Sequence, residues 1–266
     1  MPAIAGSLRS FVRTGALLLS LGLVACGGGG GGDSGGSSAG SITVRTLSVS
    51  SSYTGVTYPV TITLPAGYDS SSGAKPVIYS MDDELEAVAV MNAVIGYKID
   101  AIVVSIGNLG GDRRFIDFDL PGANAYFKFL TLELIPRVEA ELRVDKSRRT
   151  LMGYSLSGLM GMIALLEDGP STRYFSGFVL TDPSMQFHTQ ELLAMEQTLW
   201  DTTHNLPVRV QHCTTGQGSP WVDLEEKMRA RGYQGLAYQF GYYQMSHAAV
   251  LVPCVGDGLR WVFGLH

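Results

Sequence analysis

The chain is 266 residues long, 45% of its residues are hydrophobic, and its formal net charge is −5. A chain of this length can bury one substantial core, which favours one catalytic-sized domain with appendages over two domains. The acidic charge, with no basic patch and no interleaved aromatic run in the sequence, argues against a nucleic-acid partner.

The first 25 residues are predicted to be a secretory signal peptide, because arginines precede an apolar run that is too short to span a bilayer. This run ends in Leu23-Val24-Ala25-Cys26, which resembles the bacterial lipobox and implies that Cys26 carries a lipid. An ordinary signal peptide or a core strand is the alternative. Residues 26–41 are rich in Gly and Ser and predict a flexible tether to a domain over residues 42–266. We therefore expect a lipid-anchored protein of the bacterial cell envelope, facing the periplasm or the surface, with Gly27 favouring the outer membrane.

From residue 42 onward, apolar runs with strand spacing and helix spacing follow one another. The first two strands alternate apolar and polar residues, which predicts an antiparallel pair. The later strands alternate with helices, which predicts a mostly parallel sheet covered by helices on both faces. Residues 107–118 are predicted to be a loop, and Pro136 is expected to bend the helix that follows. The predicted strands cover residues 42–49, 56–64, 76–81, 101–106, 149–152, 177–181, 207–213 and 236–240, and the predicted helices cover residues 85–95, 123–142, 156–166, 191–199, 222–231 and 251–263.

The stretch Gly153-Tyr154-Ser155-Leu156-Ser157-Gly158 lies between a short apolar strand and an apolar helix. This order is typical of a nucleophile elbow, in which Ser155 stands at the tip of a strained strand-to-helix turn. Gly153 and Ser157 are small enough for the tight packing that such a turn needs. A chance pattern is the alternative in a chain with 33 glycines, but the flanking strand and helix favour the elbow.

A serine hydroxyl is a poor nucleophile unless an imidazole can take its proton. Of the five histidines, His247 follows the last predicted strand after a short loop, which is the place of the base in the chain order serine, acid, histidine. A purely structural histidine is the alternative. We expect His247 to act as the general base for Ser155.

Several short motifs occur in a characteristic order and spacing, and through them residues 42–265 resemble the esterase family of α/β-hydrolases that includes esterase D, the enterobactin-type siderophore esterases and the mycolyltransferases. The resemblance implies an α/β-hydrolase fold with a mostly parallel central sheet, antiparallel N-terminal strands and helices on both faces. It also implies a serine esterase. The motifs are Leu64-Pro65-Ala66-Gly67-Tyr68, Tyr79-Ser80-Met81-Asp82, Val104-Ser105-Ile106-Gly107-Asn108 followed by Arg113-Arg114 and Asp117, Glu133-Leu134-Ile135-Pro136, Arg148-Arg149-Thr150-Leu151, the elbow, Asp182-Pro183-Ser184 and Ser246-His247.

The acid of the triad departs from the family pattern. In the family it usually follows the strand predicted over residues 207–213, where this chain has Thr214-Thr215-Gly216-Gln217-Gly218 and no carboxylate. Asp182 ends the preceding strand and is the first choice for a relocated acid. Asp223 is the second choice, with helix capping as its alternative role. A Ser–His dyad without an acid is the third possibility.

The oxyanion hole of such an enzyme is built from backbone amides. One amide is expected from Leu156, directly after the nucleophile, and the other from Met81 or Asp82. Nearby, Arg113, Arg114, Asp117 and Asp119 either form salt bridges or bind substrate, and the salt-bridge interpretation is favoured.

If Cys26 carries a lipid, Cys213 and Cys254 remain as an even pair in an oxidising compartment. We hypothesise that they form a disulfide, with two buried free thiols as the alternative. The sequence contains no zinc-ligand spacing, phosphate loop or dinucleotide fingerprint, so we expect neither a metal nor a cofactor.

The sequence therefore predicts a serine esterase that forms an acyl-enzyme on Ser155 with His247 as base. Its expected partners are a small-molecule ester and, through the lipid on Cys26, a membrane. Siderophore lactones, short-chain esters and polyester fragments all fit as substrates. An acyltransferase of the same fold and a non-catalytic surface lipoprotein are the alternatives, and the residues do not indicate an oligomeric state.

Overall fold

The computed structural model describes residues 42–169, 173–216 and 221–265. The predicted signal peptide over residues 1–25, the lipidated Cys26 and the tether over residues 26–41 lie outside the described residues. Within the described ranges, no helix combines the length and the apolar character needed to cross a membrane.

The centre of the domain is one eight-stranded sheet with the order β1-β2-β4-β3-β5-β6-β7-β8. β2 pairs antiparallel with both β1 and β4, and all other neighbours are parallel, as predicted. The carboxyl ends of the parallel strands therefore meet at one edge, where ligands of such sheets bind. The strands are β1 (Thr43–Ser50), β2 (Thr57–Leu64), β3 (Lys75–Ser80), β4 (Ile102–Ile106), β5 (Val144–Tyr154), β6 (Gly177–Thr181), β7 (Arg209–Thr214) and β8 (Ala237–Tyr242).

Helices cover both faces of the sheet. Successive strand residues point to opposite faces, so Tyr79 packs into the larger core cluster while its neighbour Ile78 packs into the smaller one. The smaller cluster lies under α1 and α8, and the larger one lies under α3 to α7. The helices are α1 (Asp83–Gly96), α2 (Gly111–Phe118), α3 (Gly122–Lys128), a π-helix (Phe129–Leu134), α4 (Ile135–Glu139), α5 (Leu156–Glu167), a 3₁₀ helix (Met185–Phe187), α6 (Thr189–Thr202), α7 (Trp221–Arg231) and α8 (Leu251–Phe263).

Two predicted elements differ in kind from the structure, and the strand predicted over residues 149–152 is longer than predicted, with β5 covering Val144–Tyr154. The loop predicted over residues 107–118 contains α2, which is held by the salt bridge between Arg113 and Asp117 one turn apart. The helix predicted over residues 123–142 is divided into α3, the π-helix and α4. Because Pro136 has no N–H, the regular hydrogen-bond pattern is interrupted there, and the preceding turn widens so that the Ile135 amide donates to the Leu130 carbonyl.

Candidate active site

Ser155 stands alone between β5 and α5, with φ 62° and ψ −114°. This backbone conformation is rare for a residue with a side chain and is typical of strained functional positions. Its neighbours must be small, because a Cβ on Gly153 would lie 2.2 Å from the Ser157 carbonyl oxygen. A Cβ on Gly158 would lie 3.1 Å from Cα of Pro183. The local sequence therefore folds as the predicted elbow.

A buried polar group supports the elbow from below. The Ser157 hydroxyl accepts a hydrogen bond from the Tyr154 amide at 2.8 Å and lies 2.7 Å from Oε1 of Glu86. The Ser80 hydroxyl lies 2.6 Å from Oε2 of the same carboxyl. Burial, followed by the negative charge of Asp82, raises the pKa of Glu86 to about 8. Glu86 is therefore mainly a neutral carboxylic acid at neutral pH.

Asp182 and His247 form the acid–imidazole pair expected from the sequence. Asp182 directly follows β6, and its Oδ2 lies 2.6 Å from Nδ1 of His247. Thr215 donates to the carboxylate from its amide at 2.9 Å and its hydroxyl at 2.6 Å, and the Thr214 hydroxyl donates at 3.0 Å. Burial alone would raise the pKa of Asp182, but the hydrogen bonds from Thr215, His247 and Thr214 outweigh it and lower the pKa below its ordinary value. The two threonines occupy the place where the family usually has the acid.

His247 is held from two further sides. The ring of Tyr154 stacks on the imidazole with centroids 4.7 Å apart, and its hydroxyl donates to the His247 carbonyl at 2.9 Å. A disulfide joins Cys213 at the end of β7 to Cys254 in α8, with Cα atoms 6.2 Å apart. The loop that carries His247 follows β8, which pairs with β7, and leads into α8, which the disulfide joins to β7. The His247 side chain itself remains 49% exposed.

Ser155 and His247 line one cleft of about 450 Å³. Within the described residues, the Ser155 hydroxyl hydrogen bonds to the Ser184 hydroxyl at 3.3 Å and not to the imidazole. Catalytic hydrogen bonds of this kind often close only when substrate binds. The other lining residues are Arg114, Phe115, Leu156, Asp182, Pro183, Gln186, Phe187, Thr215 and Gly216.

The candidate oxyanion donors divide into available and occupied amides. Leu156 begins α5 and lines the cleft, and the first amides of a helix have no partner inside it. The Met81 amide donates to the Met152 carbonyl at 3.3 Å and is therefore already occupied by a backbone partner. Asp82 therefore stays the candidate for the second amide, and its side chain pairs with Arg114 at 2.6 Å.

The remaining predicted charges are mostly structural. Arg113 and Asp117 form the predicted salt bridge, while Asp119 pairs with His188. Asp223 lies in the first turn of α7, and the carboxylate on the imidazole is Asp182. In the part of the chain that the structure describes, no group of three or more His, Cys, Asp or Glu side chains is arranged to hold a metal ion.

Comparison with known proteins gives matches over most of the domain. Residues 51–231 match the family described as "Putative esterase". The ferri-bacillibactin esterase BesA of Bacillus subtilis (strain 168) is 25% identical, and the match covers 79% of this chain and 83% of that protein. The IroE-like serine hydrolase from Shewanella oneidensis has a TM-score of 0.69 at 22% identity, covering 82% of this chain and 79% of that one. The BES protein from Bacillus cereus has a TM-score of 0.70 at 21% identity, covering 82% of this chain and 95% of that one. The chain therefore belongs to the putative esterase family and is a carboxylic ester hydrolase of the α/β-hydrolase fold.

Proposed function

We propose that the protein hydrolyses carboxylic esters through an acyl-enzyme on Ser155, with His247 as general base and Asp182 as the acid that orients it. The observation that carries this proposal is the 2.6 Å contact between Asp182 Oδ2 and His247 Nδ1, in the same cleft as the strained Ser155. A serine at an elbow, an imidazole and an ionised carboxylate are the three parts that nucleophilic ester hydrolysis needs.

The reaction has two balanced halves. The Ser155 oxygen attacks the ester carbonyl carbon while Nε2 of His247 takes the hydroxyl proton, and the negative charge on the carbonyl oxygen is received by the amides of Leu156 and Asp82. When the tetrahedral intermediate collapses, the carbon–oxygen bond to the alcohol breaks and the imidazolium returns its proton to the leaving alcohol. Water then attacks the acyl-enzyme with His247 again as base, which releases the acid and restores the serine.

Asp182 contributes by staying ionised. Its lowered pKa keeps the carboxylate negative, so it accepts a hydrogen bond from Nδ1–H of His247 and fixes the tautomer that leaves Nε2 free toward the serine. The positive charge that His247 acquires during attack is then stabilised by a carboxylate that is already desolvated and oriented. A dyad without an acid would lack this stabilisation.

The substrate proposal stays at the level of carboxylic esters. BesA is a ferri-bacillibactin esterase by name, and this supports including siderophore esters among the candidates for this chain. The cleft is broadly open to solvent on the His247 side, so it is suited to the ester group of a compound larger than the cleft itself.

We also propose that the protein works at the bacterial cell envelope, anchored through a lipid on Cys26. The lipobox-like Leu23-Val24-Ala25-Cys26 and the Gly/Ser-rich residues 26–41 support this, and a disulfide between Cys213 and Cys254 suits an oxidising compartment. Labelling of expressing cells with an alkyne fatty acid should mark the wild-type protein and not Cys26→Ala. Equal labelling of both proteins would contradict the anchor.

The test of the catalytic proposal is hydrolysis of short p-nitrophenyl esters by wild type, Ser155→Ala, Asp182→Asn and the matched control Asp223→Asn. We expect Ser155→Ala to fall to background. Asp182→Asn should lose roughly 10²–10⁴-fold in kcat, because the amide favours the wrong imidazole tautomer. Asp223→Asn should stay near wild type. If wild type is no faster than Ser155→Ala on any ester, and a fluorophosphonate probe does not label Ser155, the mechanism is wrong and a binding role replaces it.

A further inference from the structure

Two aromatic side chains stand exposed on the walls of the cleft. Phe115 on α2 is 57% exposed, and Phe187 on the 3₁₀ helix is 58% exposed. Both line the cleft that contains Ser155. Phenylalanine side chains are usually buried, and paired exposure at the rim of a cleft is typical of a surface that binds an apolar group.

One side-chain pair connects these two walls. Nε2 of His188 hydrogen bonds to the carboxylate of Asp119, and the two side chains are only 17% and 31% exposed. His188 is the neighbour of Phe187 in the chain. On the other wall, the Asp119 amide donates to the Phe115 carbonyl at 3.2 Å. His188 is therefore one residue from Phe187, and Asp119 is one backbone hydrogen bond from Phe115.

Apart from its contact with His188, the Asp119 carboxylate accepts a hydrogen bond from the Leu120 amide at 2.9 Å. Nδ1 of His188 lies 3.6 Å from Oε1 of Glu191, which is too long for a hydrogen bond. The imidazole of His188 therefore links the residue after the 3₁₀ helix to the residue after α2 through its Nε2 contact with Asp119. Breaking this contact would remove that link without removing any group that touches Ser155.

The charges of the cleft are already paired. Among the described residues that line the cleft, Arg114 is the only lysine or arginine, and it contacts Asp82 at 2.6 Å and donates to the Tyr154 carbonyl at 3.3 Å. Asp182 is paired with His247. An anionic acyl group would therefore compete with a buried carboxylate for Arg114, whereas an uncharged apolar group would contact the two phenylalanines at no such cost.

On the basis of the proposed esterase function, we propose that the protein selects esters with an uncharged apolar or aryl acyl group, which lies between Phe115 and Phe187, and that the His188–Asp119 pair is a positioning device that sets the spacing of these walls. The alcohol part departs toward the imidazole that protonates it, and His247 lies at the exposed edge of the cleft. The acyl part of the ester therefore contacts Phe115 and Phe187.

The experiment uses the full chain and methyl esters, whose small alcohol leaves the acyl group as the only variable. Hydrolysis of methyl acetate, methyl butyrate, methyl cinnamate and monomethyl succinate is followed by proton release, giving kcat and KM for each. Wild type should prefer methyl butyrate to the anionic monomethyl succinate of similar size, and methyl cinnamate to methyl acetate. Phe187→Ala and Phe115→Ala should each lower the cinnamate-to-acetate ratio of kcat/KM by about tenfold.

The bridge is tested by His188→Ala and its conservative partner His188→Gln. We expect His188→Ala to lower the cinnamate-to-acetate ratio mainly through a higher KM for methyl cinnamate. His188→Gln should restore the ratio, because the glutamine Nε2 can donate to Asp119 as the imidazole does. His204→Ala is the matched control, since His204 stacks on Trp200 with centroids 3.8 Å apart and does not line the cleft.

Each outcome decides between the two proposals. If wild type hydrolyses methyl acetate but accepts monomethyl succinate as well as methyl butyrate, the acyl selection is wrong and the esterase mechanism stands. An unchanged ratio in His188→Ala, or a ratio in His188→Gln as low as in His188→Ala, overturns the bridge. Should His188→Ala fail to fold, the exposed Phe187→Ala decides, because an unchanged ratio there overturns the aromatic walls. Absence of hydrolysis of all four esters by wild type, without fluorophosphonate labelling of Ser155, removes the esterase mechanism itself.

Discussion

The buried Glu86 gives the sharpest test of the structure beneath the elbow. Its carboxyl has no exposed surface, and its pKa is raised from the ordinary 4.5 to about 8 by burial and by the nearby Asp82. The folded chain therefore keeps this proton at pH values where the unfolded chain has lost it. For a raised carboxyl pKa, the stabilisation is complete below the unfolded pKa and is lost as pH rises through the folded pKa.

The magnitude follows from the shift. One pKa unit corresponds to 1.36 kcal/mol, so a rise from 4.5 to about 8 is worth about 5 kcal/mol in full, of which about 4 kcal/mol falls between about pH 5 and about pH 9. Glu86→Gln should not show this loss, because the amide resembles the protonated acid and can both donate and accept toward Ser80 and Ser157.

The assay is urea unfolding of wild type and Glu86→Gln at both pH values. We expect the free energy of unfolding of wild type, relative to the variant, to fall by about 4 kcal/mol from about pH 5 to about pH 9. All other titrating groups are common to both chains and cancel in the difference. Glu141→Gln, at an exposed position, is the control and should show no such pH dependence. A Glu86→Gln difference that is the same at both pH values would mean that Glu86 is ionised in the folded protein, and the account of the elbow's support would be wrong.

Three further predictions concern the groups around the imidazole. Tyr154→Phe removes the 2.9 Å hydrogen bond to the histidine loop, so kcat should fall about fivefold with little change in KM, and steady-state kinetics check this split. Thr215→Val removes the 2.6 Å donor to Asp182 and should cost about 1–2 kcal/mol of unfolding free energy at neutral pH. The pKa of Asp182 is lowered, so below about pH 4 the carboxylate becomes protonated and the cost of losing this donor should shrink. An equal cost at neutral pH and below about pH 4 would refute this prediction. Reduction of the disulfide, which closes a sequence separation of 41, should lower the unfolding free energy by about 4 kcal/mol, and a double-alanine variant of the two cysteines should not respond to reductant.

Elements with a clear apolar pattern and local punctuation were predictable from the sequence. β6 and α8 have the predicted bounds. For β6 the reason is local, because the apolar run Phe178-Val179-Leu180 is too short for a helix and ends at polar residues. The elbow was predictable for a different reason. Its glycine is required by the local turn itself, so the sequence signal and the structural cause lie within six residues.

Elements held by distant contacts were not predictable in the same way. α2 begins at Gly111, and both Gly110 and Gly111 have positive φ, so the stretch has the composition of a loop. Its Asp117, however, also accepts a hydrogen bond from the Tyr58 hydroxyl, 59 residues away in the chain, at 2.8 Å. The same is true of the aromatic walls. Phe187 lies in a stretch without periodicity, and its place beside the cleft depends on the His188–Asp119 contact across 69 residues. A local sequence pattern does not predict contacts between residues that lie so far apart in the chain.

In the proposed mechanism the acid follows β6 rather than β7, yet it contacts the same imidazole. β6 and β7 are parallel neighbours, and the Asp182 amide donates to the Cys213 carbonyl at 2.8 Å, so the ends of the two strands are one hydrogen bond apart. A carboxylate can therefore reach the same imidazole from either strand. From β6 it needs φ 41° at Asp182, a conformation that aspartate tolerates better than most residues, and it needs donors to offset burial. Thr214, the last residue of β7, and Thr215, directly after it, supply those donors. The residues after β7 therefore donate hydrogen bonds to Asp182 at the place where the family resemblance implies the acid itself, and a search for the acid in related chains should examine both strand ends together.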